Sequence, residues 1–417
     1  MTKVANNGTV LVGLDVGTTK VAVCIGESNG DGAVEVTGIG THTSTGVRQG
    51  MIVNIDATVE AIKSALSQAQ TMAGKSVSSA YVSIGGEHVK GVNSQGNVAI
   101  RTGEVGTEEL DLALESARAV PLSNDEKVMD VIPQEYVIDR QDGIREPKGM
   151  SGTRMDANVH VVTCAKNAVR NITKCVSLCG IGIDGIVVEP IASASSVLAD
   201  DERELGVCLL DIGGGTTDVA VYTDGAIRHT EVVPMAGDSV TKDIAMTLRT
   251  PAQHAEELKI RYACALQDLT HEKESIRVPG VADRPDSKLS RQTLAAVVES
   301  RYRELIGIVR EALDKSGIPS TKLGSGVVLT GGAANMEGVT ELAEEVFNLP
   351  VSLGRPRNLH GLEGILQNPA YATCSGLLSY ASRQKQEGRS HNHQKRSAMQ
   401  KTMHTLGSWM RKTYDSI

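Results

Sequence analysis

The sequence predicts an α/β protein with two lobes, because one strand–turn–strand pattern occurs twice along the chain. Residues 9–26 read as an apolar strand, a turn at GTTK and a second apolar strand, and residues 206–225 repeat this order around GGGTT. Asp15 and Asp211 occupy the same place in the two copies. Nearly continuous apolar runs are typical of strands that are buried on both faces of a sheet. An internal repeat of this kind indicates that one folding unit has been duplicated.

The composition argues against several classes of protein. A chain of 417 residues is long enough to form two or more packed cores. The net charge of −8 argues against a nucleic-acid partner, because proteins that bind nucleic acid are usually basic. No apolar run is long enough to predict a membrane-spanning helix. The seven cysteines are odd in number and scattered, which favours reduced, buried thiols over disulfides or a zinc site.

The rest of the chain divides by composition. Residues 87–157 are polar, with short strands and one helix near 107–119, and they read as a small inserted α+β subdomain. Residues 383–400 have no apolar periodicity, which predicts a flexible linker. We predict a first-lobe subdomain (8–86, 158–198 and 370–382), the insertion (87–157), a second-lobe subdomain (199–240 and 307–369), a small helical subdomain (241–306), the linker (383–400) and a terminal amphipathic helix (401–417).

The two repeated turns have the composition of a phosphate-binding cradle. In DVGTTK (15–20) and DIGGGTTD (211–218) a strand ends in Asp, and the chain then turns through glycines and hydroxyl residues. Glycines allow backbone N–H groups to approach an anion closely. The two carboxylates, Asp15 and Asp211, suit a hydrated Mg²⁺. The candidate phosphate-binding residues are Asp15, Gly17, Thr18, Thr19, Lys20, Asp211, Gly213, Gly214, Gly215, Thr216 and Thr217. Each turn taken singly could equally be an ordinary hairpin.

A third glycine-rich turn, GGAANMEG (331–338), follows an apolar strand and opens a helix. Such a turn can lie against a flat adenine or a ribose, and the N-terminus of the helix favours anions. The candidate adenosine-binding residues in this turn are Gly331, Gly332, Ala333, Asn335 and Met336.

In this order and spacing, the three turns resemble the two phosphate motifs and the adenosine motif of the superfamily that contains actin, the heat-shock chaperones and the sugar kinases. The resemblance implies an actin-like fold with duplicated ribonuclease-H-like subdomains, and ATP as the ligand. The stretch VVEPIASA (187–194) resembles a segment in which chaperone relatives carry a glutamate that orients the attacking water, which makes Glu189 a candidate catalytic residue. The stretch AEELK resembles the purine-contacting helix, with Glu256 and Lys259 at the matching positions. For these two residues the alternative is a solvated helix face.

Over residues 8–382 the sequence resembles more closely the bacterial cell-division family FtsA, in segments such as VIPQEYVIDRQDGI and GVCLLDIGGGTTDVAVYTDG. The resemblance implies a protein that polymerises, tethers the tubulin-like polymer FtsZ to the inner membrane and helps to recruit later division proteins. It implies that nucleotide supports polymer formation more than rapid turnover, although Glu189 leaves ATP hydrolysis possible. The matching contact with the FtsZ C-terminal tail falls on ESRYRELIGIV (299–309), with Arg301, Tyr302 and Arg303 as exposed candidates. The alternative is a charged exposed helix.

The end of the chain carries an amphipathic pattern, because apolar residues recur there at helical spacing with positive charge beside them. The candidate membrane-binding residues are Met403, Leu406, Trp409, Met410, Arg411, Lys412 and Ile417. A helix too short to span a bilayer can lie in the interface of an anionic membrane with its apolar residues facing the lipid. The resemblance places this helix at the cytoplasmic face of the inner membrane at midcell. The alternative is a helix that docks on the protein itself or on a partner.

Three functions therefore compete. The first is a membrane-anchored, actin-like adaptor of cell division. The second is a sugar or acid kinase with the same cleft, which would need a sugar site and has no use for a membrane tail. The third is another actin-like scaffold, such as a pilus-assembly or cell-shape protein. The insertion and the tail both favour the first.

Overall fold

The computed structural model describes residues 9–28, 33–282 and 284–386. Most of the predicted linker, the predicted terminal helix and all seven candidate membrane-binding residues lie outside the described residues. Residues 383–386, which the sequence assigned to the linker, instead continue a helix that begins at residue 372. No helix in the described ranges combines the length and the apolar character needed to cross a bilayer.

The first lobe is built on a six-stranded sheet. Its strands are β1 (Thr9–Val16), β2 (Lys20–Ser28), β3 (Val34–Thr43), β6 (Ser79–Ile84), β11 (Gly182–Val188) and β19 (Leu359–His360), in the order β11-β6-β1-β2-β3-β19. Strands β1, β2 and β3 pair antiparallel, whereas β6 and β11 continue the sheet parallel to β1. A short hairpin of β4 (Val47–Arg48) and β5 (Met51–Ile52) follows β3. The two central strands are buried almost throughout, as their apolar sequences predict.

Helices cover both faces of this sheet. The first-lobe helices are α1 (Ile55–Ala73), α3 (Lys166–Leu178), α4 (Glu189–Val197) and α11 (residues 372–386). Helix α5 (Asp200–Leu205), which follows α4, lies against the second lobe. Helix α1 buries Ile62 and Leu66 on one face, and its N-cap is Asn54, whose side chain accepts a hydrogen bond from the Ala57 N–H. Helix α11 packs on the other face so closely that a Cβ at Gly13 would lie 2.7 Å from the Cys374 carbonyl oxygen.

The inserted subdomain is a four-stranded antiparallel sheet with one helix. Its elements are β7 (Lys90–Ala99), α2 (Thr107–Arg118), β8 (Glu126–Ile138), β9 (Gln141–Ile144) and β10 (Arg154–Ala165), with the strand order β7-β10-β8-β9. The predicted boundary at residue 157 is wrong, because it divides β10. The apolar run that starts at Val159 resembles a first-lobe strand in composition, but it pairs with β7 and β8 along its whole length.

The second lobe repeats the sheet of the first. Its strands are β12 (Val207–Ile212), β13 (Thr217–Thr223), β14 (Ala226–Val233), β17 (Val327–Thr330) and β18 (Val351–Leu353), in the order β14-β13-β12-β17-β18. Three antiparallel strands are again followed by two parallel ones. The matching topology confirms the predicted duplication.

The remaining helices surround this second sheet. They are α6 (Gly237–Leu248), α7 (Ala252–Tyr262), α8 (Arg291–Lys315) and α9 (Val339–Phe347), and a hairpin of β15 (Ser275–Val278) and β16 (Ser287–Ser290) lies between α7 and α8. The short α10 (Glu363–Leu366) lies instead against the first lobe, where Leu366 shares a core with residues of β1, β2 and β3. The predicted boundary between residues 306 and 307 is wrong, because α8 runs through it without interruption. One apolar core joins α6, α7, α8 and α9 to the sheet.

The inserted subdomain also contacts the second lobe through polar groups. His160 of β10 is buried, with its Nδ1 2.8 Å from Asn93 Oδ1 and its Nε2 2.9 Å from Thr230 Oγ1 of β14. Gln134 donates to the Ile227 carbonyl at 2.7 Å. Burial lowers the pKa of His160 to about 4, so the ring is neutral at physiological pH. The insertion is thus bonded to both lobes, covalently to the first and by hydrogen bonds to the second.

Candidate nucleotide cleft

A cavity of about 580 Å³ lies between the two lobes. Its walls are the two repeated hairpins, the turn that follows β17, helix α7 and the start of α11. Every predicted phosphate-binding and adenosine-binding residue lines this cavity except Thr217, and Glu189 lines it as well. Three sequence segments more than a hundred residues apart therefore converge on one space.

The two hairpins have the same turn and meet across the cavity. Gly17 N–H donates to the Lys20 carbonyl at 3.0 Å, and Gly213 N–H donates to the Thr216 carbonyl at 2.9 Å. A Cβ at Gly215 would lie 2.6 Å from Thr18 Oγ1, and one at Gly214 would overlap Thr19 Oγ1. Glycine is required here because the opposite hairpin leaves no room for a side chain.

Thr217 does not belong to the cradle. Its side chain is buried at the start of β13, and its hydroxyl donates to the Met235 carbonyl at 2.8 Å. Successive residues of a strand point to opposite faces, so a run of adjacent hydroxyls cannot all face one ligand. The prediction of Thr217 as a phosphate donor is therefore not supported by its position.

Two of the buried carboxylates are held by hydroxyl groups. Ser83 Oγ donates to Asp15 Oδ1 at 2.8 Å, while Ser193 and Thr373 both donate to Asp211 Oδ2. Burial raises the pKa of Asp15 to about 6, against the lowering effect of the Lys20 charge. Burial also raises the pKa of Asp211, and the Ser193 hydrogen bond opposes this shift most strongly.

Asp218 is a further carboxylate of the site that was not among the predicted residues. It lies directly opposite Asp211 in the β12–β13 register and lines the cavity beside Glu189. Burial raises its pKa well above the ordinary value, and the Asp211 charge adds to the shift. Burial, followed by the Asp218 charge, likewise raises the pKa of Glu189. The second Asp of DIGGGTTD, which directly follows the two predicted threonines and lies across from Asp211 in a tight hairpin, was the signal that could have revealed it.

The carboxylate group as a whole is compatible with a hydrated divalent cation. Asp218 Oδ1 is buried without a hydrogen-bond partner among the described residues. Within the same part of the chain, no three His, Cys, Asp or Glu side chains form a group that could hold a metal directly. Crowded acids without a direct cage suit Mg²⁺, which keeps several of its water ligands.

A further part of the cavity lining is formed by α7 and by the turn after β17. Gly331 has a φ of +89°, a conformation that favours glycine. Lys259 forms an ion pair with Glu256 at 2.7 Å and donates to the Gly237 carbonyl at 3.1 Å. Ile260, which was not among the predicted residues, is 73% exposed and lines the cavity together with Met336. This part of the lining thus combines apolar side chains with fixed polar groups.

The three predicted FtsZ-contacting residues have different environments. Tyr302 is not exposed: it is 1% accessible, belongs to the second-lobe core and donates its hydroxyl to the Ala333 carbonyl at 2.8 Å. Arg301 is partly buried in a two-point contact with Asp243. Arg303 is exposed and pairs with Glu299 and Glu345. The period of α8 explains these different exposures, because consecutive helical residues point in different directions and only Tyr302 of the three faces the core.

Two sheets of matching topology around an interlobe cleft place the chain in the class of actin-like proteins. Among solved structures it resembles a chain of the PilM-PilN type IV pilus biogenesis complex, with a TM-score of 0.64 and 16% identity over 89% of this chain and 98% of that one. It also resembles MreB 5 of Spiroplasma citri bound to AMPPNP, with a TM-score of 0.55 and 14% identity over 92% of this chain and 98% of that one.

The sequence identifies the family within this class. Residues 208–376 match the model of the cell division protein FtsA, and residues 86–163 match the SHS2 domain inserted in FtsA. The chain is 54% identical to the FtsA of Pseudomonas aeruginosa, with 92% of both chains covered, and 42% identical to that of Escherichia coli K12, with 98% and 99% covered. The chain belongs to the FtsA family of cell division proteins. The predicted actin-like fold and its inserted α+β subdomain are thereby confirmed.

Proposed function

We propose that the interlobe cleft binds ATP, with its phosphates between the two hairpins and its adenosine between α7 and the turn after β17. The observation that carries this proposal is the meeting of two glycine-rich hairpins with identical turn hydrogen bonds across one cavity. The AMPPNP bound to MreB 5, a protein of the same fold, supports the choice of an adenine nucleotide.

Mg²⁺ fits beside the phosphates, where Asp15 and Asp211 would hold it through water. The cation would supply the positive charge that the crowded buried acids require. Glu189 and Asp218 face the same space, and their raised pKa values favour the protonated forms. A bound cation would lower these pKa values again, so Glu189 could then orient an attacking water, and hydrolysis stays possible while the nucleotide acts mainly as a structural ligand.

We propose further that the protein polymerises at the cytoplasmic face of the inner membrane at midcell, anchors FtsZ there and helps to recruit later division proteins. Family membership supports this role over that of a kinase or a pilus scaffold. The terminal sequence pattern supplies the anchor, since Met403, Leu406 and Trp409 can insert into an anionic interface. Each tail is short, so its binding is weak alone and becomes strong when polymerisation presents many copies.

The ATP site is tested by replacing Gly214 with Ala. The added Cβ overlaps Thr19 Oγ1 and forces the hairpins apart, so we expect ATP affinity, measured by isothermal titration calorimetry, to fall at least about tenfold. Gly307→Ala is the matched control, because no atom lies within 4 Å of a Cβ at that position. Equal ATP affinity in the Gly214 variant and the control would contradict the proposed site.

A further inference from the structure

One short segment, residues 368–373, touches all three motifs of the cleft. Asn368 Oδ1 accepts a hydrogen bond from Asn335 of the adenosine turn at 3.0 Å. The Ala370 carbonyl accepts one from the Lys20 ammonium of the first hairpin. Thr373 Oγ1 donates to Asp211 Oδ2 of the second hairpin at 3.1 Å. The segment lies just before and at the start of α11, so the helix that packs on the first-lobe sheet begins at the cleft.

Lys20 has an unusual environment for a cation. Its ammonium lies 4.2 Å from the centre of the Tyr371 ring, in addition to its bond with the Ala370 carbonyl. The side chain is half-buried and lines the cavity. Among the described residues, no carboxylate lies close enough to form an ion pair with it; its contacts there are the carbonyl and the aromatic face. The Lys20 charge acts on Asp15 and Asp211 without a direct ion pair, so the ammonium can bind an anion that enters the cavity.

The Tyr371 ring contributes to the site only through Lys20. Tyr371 does not line the cavity, whereas Ala370 and Thr373 on either side of it do. A cation held over an aromatic face is stabilised by the electrostatic field of the ring. A flexible lysine that is already ordered loses less conformational entropy when it binds a phosphate. Fixing Lys20 before the ligand arrives would strengthen phosphate binding without any contact between Tyr371 and the ligand.

We propose that Tyr371 is a positioning residue that holds the Lys20 ammonium at the phosphate end of the cleft, and so sets how strongly the protein distinguishes ATP from adenosine. The inference rests on the proposed function of the cleft and refines it. A merely structural role of Tyr371 would change the affinity for both ligands, because both would occupy the same adenosine pocket. A role through Lys20 changes only the contribution of the phosphates.

The test compares Tyr371→Leu, which removes the ring face, with Tyr371→Phe, which keeps it. Dissociation constants for ATP with Mg²⁺ and for adenosine are measured by calorimetry on the full chain. We expect Tyr371→Leu to weaken ATP binding about tenfold and to leave adenosine binding within about twofold of the wild type. Tyr371→Phe should match the wild type for both ligands. Tyr371→Met, which also lacks a ring face, repeats the test if the leucine variant folds poorly.

A double-mutant cycle with Lys20→Met identifies the route of the effect. If Tyr371 acts through Lys20, Tyr371→Leu causes no further loss of ATP affinity once Lys20 is replaced. Unchanged ATP affinity in Tyr371→Leu, equal losses for ATP and adenosine, or a full additional loss in the Lys20→Met background would each overturn the inference. Equal affinities of the wild-type protein for adenosine and for ATP would overturn the inference too. A wild-type protein that binds neither ligand would overturn the proposed nucleotide cleft itself.

Discussion

The carboxylate of Asp15 suits the cleft for a cation, but its burial lowers the stability of the folded protein when it is ionised. Its carboxyl is 8% exposed, and burial raises its pKa from 3.8 to about 6. The folded state holds this proton more tightly than the unfolded state does. The protonated carboxyl therefore makes its full contribution to the stability of the fold below pH 3.8. This contribution is lost as the pH rises through about 6. At neutral pH the empty cleft therefore contains an ionised acid that weakens the fold, and a bound cation would relieve this strain.

We expect Asp15→Asn to stabilise the nucleotide-free protein at pH 7.5 by about 2–3 kcal/mol, because the amide cannot ionise. The difference in the free energy of unfolding between Asp15→Asn and the wild type should fall to roughly half at pH 5, where the wild-type acid is mostly protonated in the folded state. Urea unfolding at the two pH values measures the free energy of unfolding of the variant and of the wild type. Asp142→Asn, at an exposed position, is the control. Lower stability of Asp15→Asn at both pH values would show that the ionised acid is not a source of instability.

At the scale of single elements, the sequence predicted the strands that form the site better than it predicted their limits. The apolar runs around Asp15 and Asp211 defined both hairpins, because strands buried on two faces leave a simple pattern. The same rule misassigned β10, since a strand buried in the inserted sheet has the same composition as one buried in the first lobe. Composition reports burial and does not report which sheet provides it.

Side-chain direction was the second source of error. Thr217 lies in a predicted hairpin and Tyr302 in the predicted helical subdomain, yet Thr217 points away from the cleft and Tyr302 points into the core. Residues adjacent in a motif differ in direction by the period of their element. Asp218 was missed for the complementary reason, because its role depends on a cross-strand neighbour, Asp211, that only the hairpin register reveals.

Helix α8 gives a sharper prediction for FtsZ binding. Of the three predicted residues, Arg303 alone is exposed, whereas Arg301 is paired with Asp243. We expect Arg303→Glu to weaken binding of the FtsZ C-terminal peptide about fivefold, because it reverses a charge that would face an acidic peptide. Fluorescence anisotropy of a labelled peptide measures the change.

The control for this prediction is Arg170→Glu on α3. That residue is also exposed, but it lies on the first lobe, so it tests for a general effect of net charge. Peptide affinity that falls equally in both variants, or in neither, would place the FtsZ contact elsewhere.

For the whole molecule, the decisive arrangement is the convergence of distant segments. The sequence identified the duplication and the three cleft motifs, because each is a local pattern of apolar residues, glycines and acids. It could not reveal that residues 368–373 join the three motifs, or that His160 links the insertion to Thr230 of the second lobe. These contacts connect positions far apart in the chain, and isolated polar residues carry no periodicity that would mark them.

The function we propose for the whole molecule is that of an adaptor that would link a cytoplasmic polymer to lipid. The adaptor needs a body that polymerises and a tail that is weak in a single copy, so that attachment depends on assembly. Trp409 is the only tryptophan of the chain and lies among the predicted membrane-binding residues. A charge at this position would oppose insertion into the interface without altering the described body of the protein.

The most direct test of this account is co-sedimentation of purified FtsZ with vesicles of phosphatidylethanolamine and phosphatidylglycerol, in the presence of ATP and Mg²⁺. We expect FtsZ to pellet with the vesicles when the full chain is present, and to remain in the supernatant without it or with the Trp409→Glu variant. FtsZ that stays in the supernatant with the full chain, or that pellets equally with Trp409→Glu, would contradict the proposed role as a membrane anchor.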